Sequence, residues 1–158
     1  MSRDRGIEDT VPEARMDGED MRTWLMAYEL CVDVYICAER YCLDDFKACI
    51  RACIIDYLET AGMDAAQPLL LECCRKLHSG LSANDVLLKM VFARVGFLLA
   101  RLWKNWGEET HLFWIENPEV GGLIMKETME RREMDAGDDL PAMSRVFQVG
   151  REVITIHR

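Results

Sequence analysis

One apolar segment, residues 86–103, dictates the architecture more than any other part of the sequence. Its apolar residues surround nearly the whole circumference of a helix, so no face of that helix is suited to water. Three cations, Lys89, Arg94 and Arg101, interrupt the segment, and its uncharged run falls short of the roughly 18 residues that a membrane span needs. We therefore expect a buried helix over residues 85–104, which other helices must surround.

The middle of this helix contains a glycine, Gly96. Glycine in a helix interior costs about 1 kcal/mol relative to alanine, so its presence requires a reason. We predict that Gly96 lets the backbone of another helix approach closely.

The other segments carry apolar residues at three- and four-residue intervals, which is typical of amphipathic helices. The predicted helices span residues 21–40, 44–61, 68–77, 85–104, 108–116 and 118–134. Their predicted capping residues are Asp44, either Ser82 or Asn84, and Asn117, and Pro68 and Pro118 suit first-turn positions.

The 158 residues are enough for one core, and half of them are hydrophobic, which excludes wholesale disorder. Residues 1–20 and residues 119–139 each hold seven acidic and three basic side chains, and these two segments supply most of the net charge of −9. We expect an all-α fold with three parts. They are a flexible acidic arm (1–20), a single orthogonal helical domain of about six helices (21–134), and a linker with a C-terminal extended, strand-like tail (135–158).

The tail is rich in β-branched and aromatic residues, which favour extended structure. They are Val146, Phe147, Val149, Val153, Ile154 and Ile156. Gly150 and Arg151 fit either the turn of a hairpin or the interior of one strand. A lone strand would need a partner, so we expect it to pair with a second copy or with another protein; the alternative is an irregular or disordered tail.

Motifs of catalysis are missing from the sequence. There is no nucleophile elbow, phosphate-binding glycine loop or dinucleotide fingerprint, so we expect no enzyme and no cofactor. Glu108 and His111 form a single Glu-x-x-His element, whereas di-metal helical bundles need two. We expect a surface or capping role for His111 and no metal site.

Seven cysteines are an odd number, and residues 1–20 contain no apolar stretch that could serve as a secretory signal. We therefore expect reduced thiols in the nucleus or cytoplasm. Cys49 and Cys53 fall close to the apolar stripe of their helix and are predicted to pack there. The alternative is a thiol- or metal-dependent regulatory protein, whose site would use Cys73, Cys74 and His78.

The remaining candidates are aromatic residues at the ends of predicted helices, because tryptophan is enriched at the centres of protein interfaces. The candidate partner-binding residues are Trp103, Trp106, Phe113 and Trp114, together with the apolar residues of the tail. Another possibility is a nucleic-acid adaptor, which would require Arg94, Arg101 and Lys104 to align with Arg75 and Lys76 in one basic patch. The acidic composition argues against it.

Residues 34–47 resemble the segment that follows the core of fungal-type BTB/POZ proteins. The matching residues are Tyr35, Ala38, Glu39, Arg40, Tyr41, Leu43, Phe46 and Lys47, with a weaker match at Asn117, Pro118 and Glu119. The resemblance implies a helical, BACK-like extension. The family's α/β core, which carries its dimer interface and cullin-binding surface, would precede residue 28, where twenty-odd residues cannot hold it.

The leading prediction is a non-enzymatic protein–protein interaction or adaptor module. It would bind a protein partner, or itself, through an exposed apolar face and the tail. Cullin recruitment is not expected without the BTB core, nor is binding to nucleic acid or a membrane.

Overall fold

The computed structural model describes residues 18–136 and the residue pairs 148–149 and 152–153. Its six α-helices confirm the predicted all-α fold. They are α1 (Gly18–Arg40), α2 (Asp44–Ala61), α3 (Pro68–Gly80), α4 (Val86–Asn105), α5 (Gly107–Glu116) and α6 (Pro118–Ala136). A 3₁₀ helix, Gly62–Ala65, follows α2. Helix α1 begins at Gly18 and not at Met21, and α3 continues to Gly80 beyond its predicted end at residue 77.

The tail contains a short antiparallel pair of strands, β1 (Gln148–Val149) and β2 (Glu152–Val153), in which Gln148 lies opposite Val153. The two strands pair with each other, and residues 150–151, predicted to form either a hairpin turn or the interior of one strand, lie outside the described residues. Val146, Phe147, Ile154 and Ile156 lie outside the described residues. The chain divides into two compact units between Thr128 and Met129, and this strand pair belongs to the second.

Helix α4 is the centre of the first unit, as its sequence predicts. Its buried side chains cover more than half of its circumference, and those with almost no exposure include Leu87, Phe92, Val95, Leu98 and Leu102, whereas Val86 and Phe97 are exposed. The core cluster that they join takes fully buried tyrosines from α1 and leucines from α3. Helix α4 therefore shares one core with both of these helices.

The close approach predicted at Gly96 is confirmed. A Cβ atom placed on Gly96 would fall within the van der Waals radius of the Thr128 side chain, on α6. The Thr128 hydroxyl donates a hydrogen bond to the Ile124 carbonyl at 2.7 Å, which satisfies it within its own helix. The absence of a side chain at Gly96 therefore sets the distance between α4 and α6.

A polar network at the start of α4 joins three helices. The Asp85 carboxylate accepts from the Leu88 backbone N–H at 3.1 Å and from the Tyr35 hydroxyl at 3.1 Å, and it lies 3.0 Å from the Lys47 ammonium. Lys47 also pairs with Glu39. Asp85 is therefore the N-cap of α4, and the prediction of Ser82 or Asn84 was wrong; the Ser82 hydroxyl instead accepts from the Asn84 backbone N–H in the preceding turn.

The pKa of Lys47 follows from this network. Burial lowers the pKa, but the hydrogen bonds to Glu39 and Asp85 outweigh burial and raise it above the ordinary lysine value. The Lys47 ammonium also lies 5.1 Å from the centre of the Tyr35 ring, within cation–π range. Lys47 is therefore charged at neutral pH and attached to both α1 and α4.

The turn between α1 and α2 has a Schellman geometry. The Leu43 N–H donates to the Ala38 carbonyl at 2.9 Å and the Cys42 N–H donates to the Glu39 carbonyl at 3.2 Å. Cys42 occupies the left-handed position with φ 57°, where glycine is the usual residue. The residue before α2 is Leu43, which makes no side-chain cap, so the predicted capping role of Asp44 was wrong; Asp44 is the first residue of the helix.

Replacing Cys42 with glycine is expected to raise the free energy of unfolding by about 1 kcal/mol, because a left-handed conformation costs an L-residue about 1–2 kcal/mol and glycine's greater freedom when unfolded offsets part of that gain. The measurement is urea denaturation followed by circular dichroism. Cys37→Gly, at an exposed position inside α1, is the control and should destabilise by about 1 kcal/mol. If Cys42→Gly and Cys37→Gly lower the free energy of unfolding by the same amount, the strain at Cys42 is contradicted.

Two cysteines predicted to pack in the core are exposed, together with several other apolar residues. Phe46, Cys49 and Cys53 on α2 are exposed, because the buried line of that helix runs through Ile54, Leu58 and Ala61. The predicted packing of Cys49 and Cys53 was therefore wrong. Met129 on α6 is exposed as well. Trp24, near the start of α1, is buried and stacked on Tyr28, with ring centres 5.2 Å apart.

Candidate functional site

Three of the predicted partner-binding residues meet where α4 ends and α5 begins. The Trp103 ring lies 6.5 Å from the Trp114 ring and 6.2 Å from the His111 ring, measured between centres. Phe113 packs edge-on against Trp114 at 5.9 Å. The chain reverses around Gly107, so that the last turn of α4 and the second half of α5 present their aromatic residues to one another.

The cluster has a buried base and an exposed rim. Phe113 is buried, whereas Trp103 is 43% exposed and His111 is exposed. Trp114 is half-buried against α6 because Gly121 has no side chain; a Cβ atom there would lie 2.6 Å from the indole nitrogen. The Trp103 indole is thus held by aromatic neighbours on one side while its other side remains open to solvent.

Helix α5 exposes two further apolar residues that sequence reasoning missed. Leu112 is 53% exposed and Ile115 is 62% exposed. They are three residues apart and so share one face of the helix. The available signal was the run of four apolar residues at positions 112–115, but consecutive positions point to several sides of a helix and do not show which side faces the core. We call Trp103, His111, Leu112, Trp114 and Ile115 the α5 surface.

Trp106 does not belong to the α5 surface. It is the joint between α4 and α5, where its N–H donates to the Leu102 carbonyl at 2.7 Å and its carbonyl accepts from the Thr110 N–H at 2.9 Å. Its half-buried side chain packs against the core. Trp106 therefore packs at the junction of the two helices, and its role as a contact residue stays a prediction.

A hollow of about 370 Å³ lies between α3 and α5, next to the α5 surface. Its apolar lining comes from Pro68, Leu69 and Leu71 on α3 and from Leu112 and Phe113 on α5. The charged residues that line it are all carboxylates: Glu72, Glu109 and Glu116. Leu112 lines this hollow and also belongs to the α5 surface, so the hollow adjoins the α5 surface.

The alternative thiol site does not form around Cys73, Cys74 and His78. Both cysteines are fully buried, and burial raises the pKa of the Cys73 thiol to about 12 and that of Cys74 well above its ordinary value. His78 lies 3.6 Å from Glu119 and is half-buried. Such thiols are protonated at neutral pH and closed to reagents, and among the described residues no three metal-ligating side chains converge.

The basic residues that a nucleic-acid patch would need are mostly engaged with carboxylates. Arg75 pairs with Glu72 at 2.6 Å, Arg94 pairs with Glu59, and Lys76 lies 2.8 Å from Glu29 and 3.1 Å from Asp33. Phosphate binding requires cations that are free to release counterions. The paired cations therefore give no support to a nucleic-acid adaptor.

Two predictions near helix α5 have clear outcomes. His111, predicted to have a surface or capping role, is exposed and lies against Trp103. Asn117, predicted to cap α6, donates its side-chain amide to the Phe113 carbonyl at 3.2 Å, so its side chain caps the end of α5. This amide satisfies an acceptor at the C-terminus of the helix that carries the candidate surface.

The tail residues Val149 and Val153 are in the strand pair of the second unit, and the other tail candidates lie outside the described residues. Pairing of the tail with a second copy remains a prediction. No helix in the described part of the chain combines the length and the apolar character needed to cross a membrane. The chain has no significant match to a protein-family model, a curated protein or a solved structure.

Proposed function

We propose that this protein is a non-enzymatic interaction module that binds a protein partner through the α5 surface. The observation that carries the proposal is the half-exposed Trp103 indole, supported by Trp114 and His111 and continuous with exposed Leu112 and Ile115. Single exposed apolar residues are normal on a soluble protein, but a contiguous group anchored by a rigid aromatic ring is typical of a binding surface.

The physical basis is the removal of an already ordered ring from water. The Trp103 ring is held by its neighbours before any partner arrives, so less conformational freedom is lost on binding. Tryptophan anchors at the centre of an interface contribute more than most contact residues. Carboxylates flank the surface on α5, as expected for the polar rim of an interface.

The resemblance of residues 34–47 to the segment after a BTB/POZ core supports the same class of function. In this segment Tyr35 and Lys47 join the partly buried network around Asp85. Folding therefore accounts for part of the likeness, and the interaction role rests on α5.

We also propose that the protein works in the nucleus or cytoplasm. All seven cysteines lie within the described residues and none forms a disulfide. Cys37, Cys42, Cys49 and Cys53 are exposed, and four accessible thiols suit a reducing compartment. Detection of the tagged protein by cell fractionation tests this.

Replacing Trp103 with alanine is expected to weaken partner binding by about thirtyfold, which corresponds to the roughly 2 kcal/mol of a tryptophan hot spot. Partners captured from an extract of the source cells are identified first, and the dissociation constant of the purified complex is then measured for each variant. Phe46→Ala is the matched control, because Phe46 is 49% exposed and lies on α2.

If the Trp103 and Phe46 variants lose the same affinity for the partner, or if neither loses any, the α5 surface is not the binding surface. A bait without residues 140–158 tests the tail separately, and it should keep partners that bind through α5. Sedimentation of the wild type and of Trp103→Ala distinguishes self-association from binding of another protein, since only self-association changes the mass of the isolated protein.

A further inference from the structure

The hollow between α3 and α5 carries negative charge that the described structure leaves unbalanced. Of its three carboxylates, Glu72 already accepts from Arg75 at 2.8 Å. Glu109 and Glu116 form no ion pair with any residue from 18 to 132. They stand at opposite ends of α5, seven residues apart, which separates them by about 10 Å along the helix.

The Glu116 carboxylate also lies at the negative end of the α5 helix dipole. It is the last residue of α5, where the carbonyl groups already concentrate negative charge, and that last turn contains no basic residue. A carboxylate there does not benefit helix α5. A cation supplied by a partner would relieve the repulsion.

Two other hollows in the described residues lack such free charge. One of about 580 Å³ on the outer face of α1 is lined by Glu29 and Asp33, and both carboxylates pair with Lys76. One of about 180 Å³ is lined by Glu59 and Arg94, which pair with each other. The hollow between α3 and α5 differs because it combines an apolar floor with unneutralised carboxylates on its rim.

We propose that this hollow binds a basic amphipathic peptide segment of the partner. An apolar side chain of the segment enters over Leu71 and Phe113, and lysine or arginine side chains on either side pair with Glu109 and Glu116. The proposal rests on the proposed interaction function and names the chemistry of the partner. The volume of the hollow, about 370 Å³, fits one or two apolar side chains of a peptide.

The occupant is assigned from charge complementarity. An acidic or neutral segment would leave Glu109 and Glu116 facing an apolar contact without cations, at a desolvation cost. A helix with two basic residues two turns apart matches the spacing of the two carboxylates. The apolar residues between them would lie on the same face, as in other helix-in-groove complexes.

The experiment measures binding of fluorescein-labelled helical peptides by fluorescence anisotropy. Each peptide has an alanine host and central leucines, and the flanking residue on either side is lysine, glutamine or glutamate. We expect the lysine peptide to bind more tightly than the glutamine peptide and the glutamate peptide to bind least. Affinity for the lysine peptide should fall as salt rises from about 0.1 to about 1 M, because screening shortens from about 10 to about 3 Å.

The variants Glu109→Lys and Glu116→Lys are each expected to weaken binding of the lysine peptide by about tenfold, since an attractive pair becomes repulsive. Asp56→Lys, which makes the same charge change at an exposed site on α2, is the control and should have little effect. Glu116→Lys places a cation at a helix C-terminus, so its melting temperature should not fall below that of the wild type. Loss of binding in this variant would therefore not reflect unfolding.

Equal binding of the three peptides, no binding of any of them, or equal loss in Glu116→Lys and Asp56→Lys would overturn the proposal. So would occupation of the hollow by a second copy, seen as a dimer that Glu116→Lys dissociates. The proposed function fails separately: if Trp103→Ala loses the captured partner while Glu109→Lys and Glu116→Lys retain it, the α5 surface stands and the basic-peptide assignment falls.

Discussion

Replacing Asp85 with alanine is expected to lower the free energy of unfolding by about 3 kcal/mol, because a helix cap and charge-assisted hydrogen bonds are lost together at a partly buried site. The substitution removes the N-cap of the central helix α4, which alone costs about 1 kcal/mol. It also leaves the Tyr35 hydroxyl without its acceptor and takes one of two carboxylates from Lys47. Urea denaturation followed by circular dichroism gives the measurement.

The contributions at Asp85 can be separated with a more conservative change. Asparagine caps a helix about as well as aspartate and can still accept from Tyr35, so Asp85→Asn should remove mainly the charge interaction with Lys47. We expect a loss of about 1 kcal/mol, roughly the value of a hydrogen bond to a charged group that retains a second partner. Ser82→Ala and Asn84→Ala are matched controls from the same turn and should each cost less than about 0.5 kcal/mol.

The stabilisation that Lys47 gains from Asp85 changes with pH in a defined direction. The raised pKa of Lys47 means that the folded state holds its proton more tightly than the unfolded state. The stabilisation is therefore complete below the unfolded lysine pKa of about 10.4 and is lost as pH rises through the folded value. The difference in free energy of unfolding between the wild type and Asp85→Asn should be constant around neutral pH and should become smaller in strong alkali.

The control for the cap is Ser82→Ala. If it lowers the free energy of unfolding as much as Asp85→Ala does, the assignment of Asp85 as the cap is contradicted.

The helices could be predicted from the sequence because their signals are local. Periodic apolar residues, Pro68 and Pro118, and the nearly complete apolar circumference of α4 each act within a few residues along the chain. Gly96 was informative for a different reason: its cost inside a helix is fixed locally, so only a close tertiary contact could offset it. The partner of that contact, Thr128, lies on a helix whose own apolar pattern is weak.

The parts that were missed depend on contacts between distant segments. By residue type, the cap of α4 could be Ser82, Asn84 or Asp85. Asp85 is favoured because Tyr35 of α1 and Lys47 of α2 contact its carboxylate in the folded structure. Cys49 and Cys53 are apolar enough for a core, but α2 buries a narrower stripe than its sequence offers.

The candidate site was predicted only in part. Aromatic type and position at helix ends indicated Trp103, Phe113 and Trp114, because those properties belong to the residues themselves. Exposure of Leu112 and Ile115 depends on which side of α5 meets the core. The hollow with Glu109 and Glu116 depends on how α3 lies against α5, and no local pattern encodes that arrangement.

Replacing Gly96 with alanine is expected to lower the free energy of unfolding by about 2–3 kcal/mol, the range for forcing an extra carbon into a filled core. The new methyl group would occupy the space of the Thr128 side chain, whose Cβ atom would lie 2.7 Å away. Alanine normally stabilises a helix relative to glycine by about 1 kcal/mol, so the overlap must exceed that gain before any loss appears. Chemical denaturation measures the net effect.

Gly122→Ala is the matched control, because Gly122 is an exposed glycine inside α6 with no atom within 4 Å of an added Cβ. It should stabilise the protein by about 0.5–1 kcal/mol, the ordinary effect of helix propensity. Adding Thr128→Gly to Gly96→Ala should recover part of the packing loss, whereas Thr128→Ser should not, because the serine Cβ and hydroxyl remain in the way. If Gly96→Ala instead stabilises the protein as Gly122→Ala does, α6 does not contact α4 at Gly96. Helix α6 also carries Gly121, against which the Trp114 ring packs. The same result would therefore weaken the case that α6 supports Trp114 in the α5 surface.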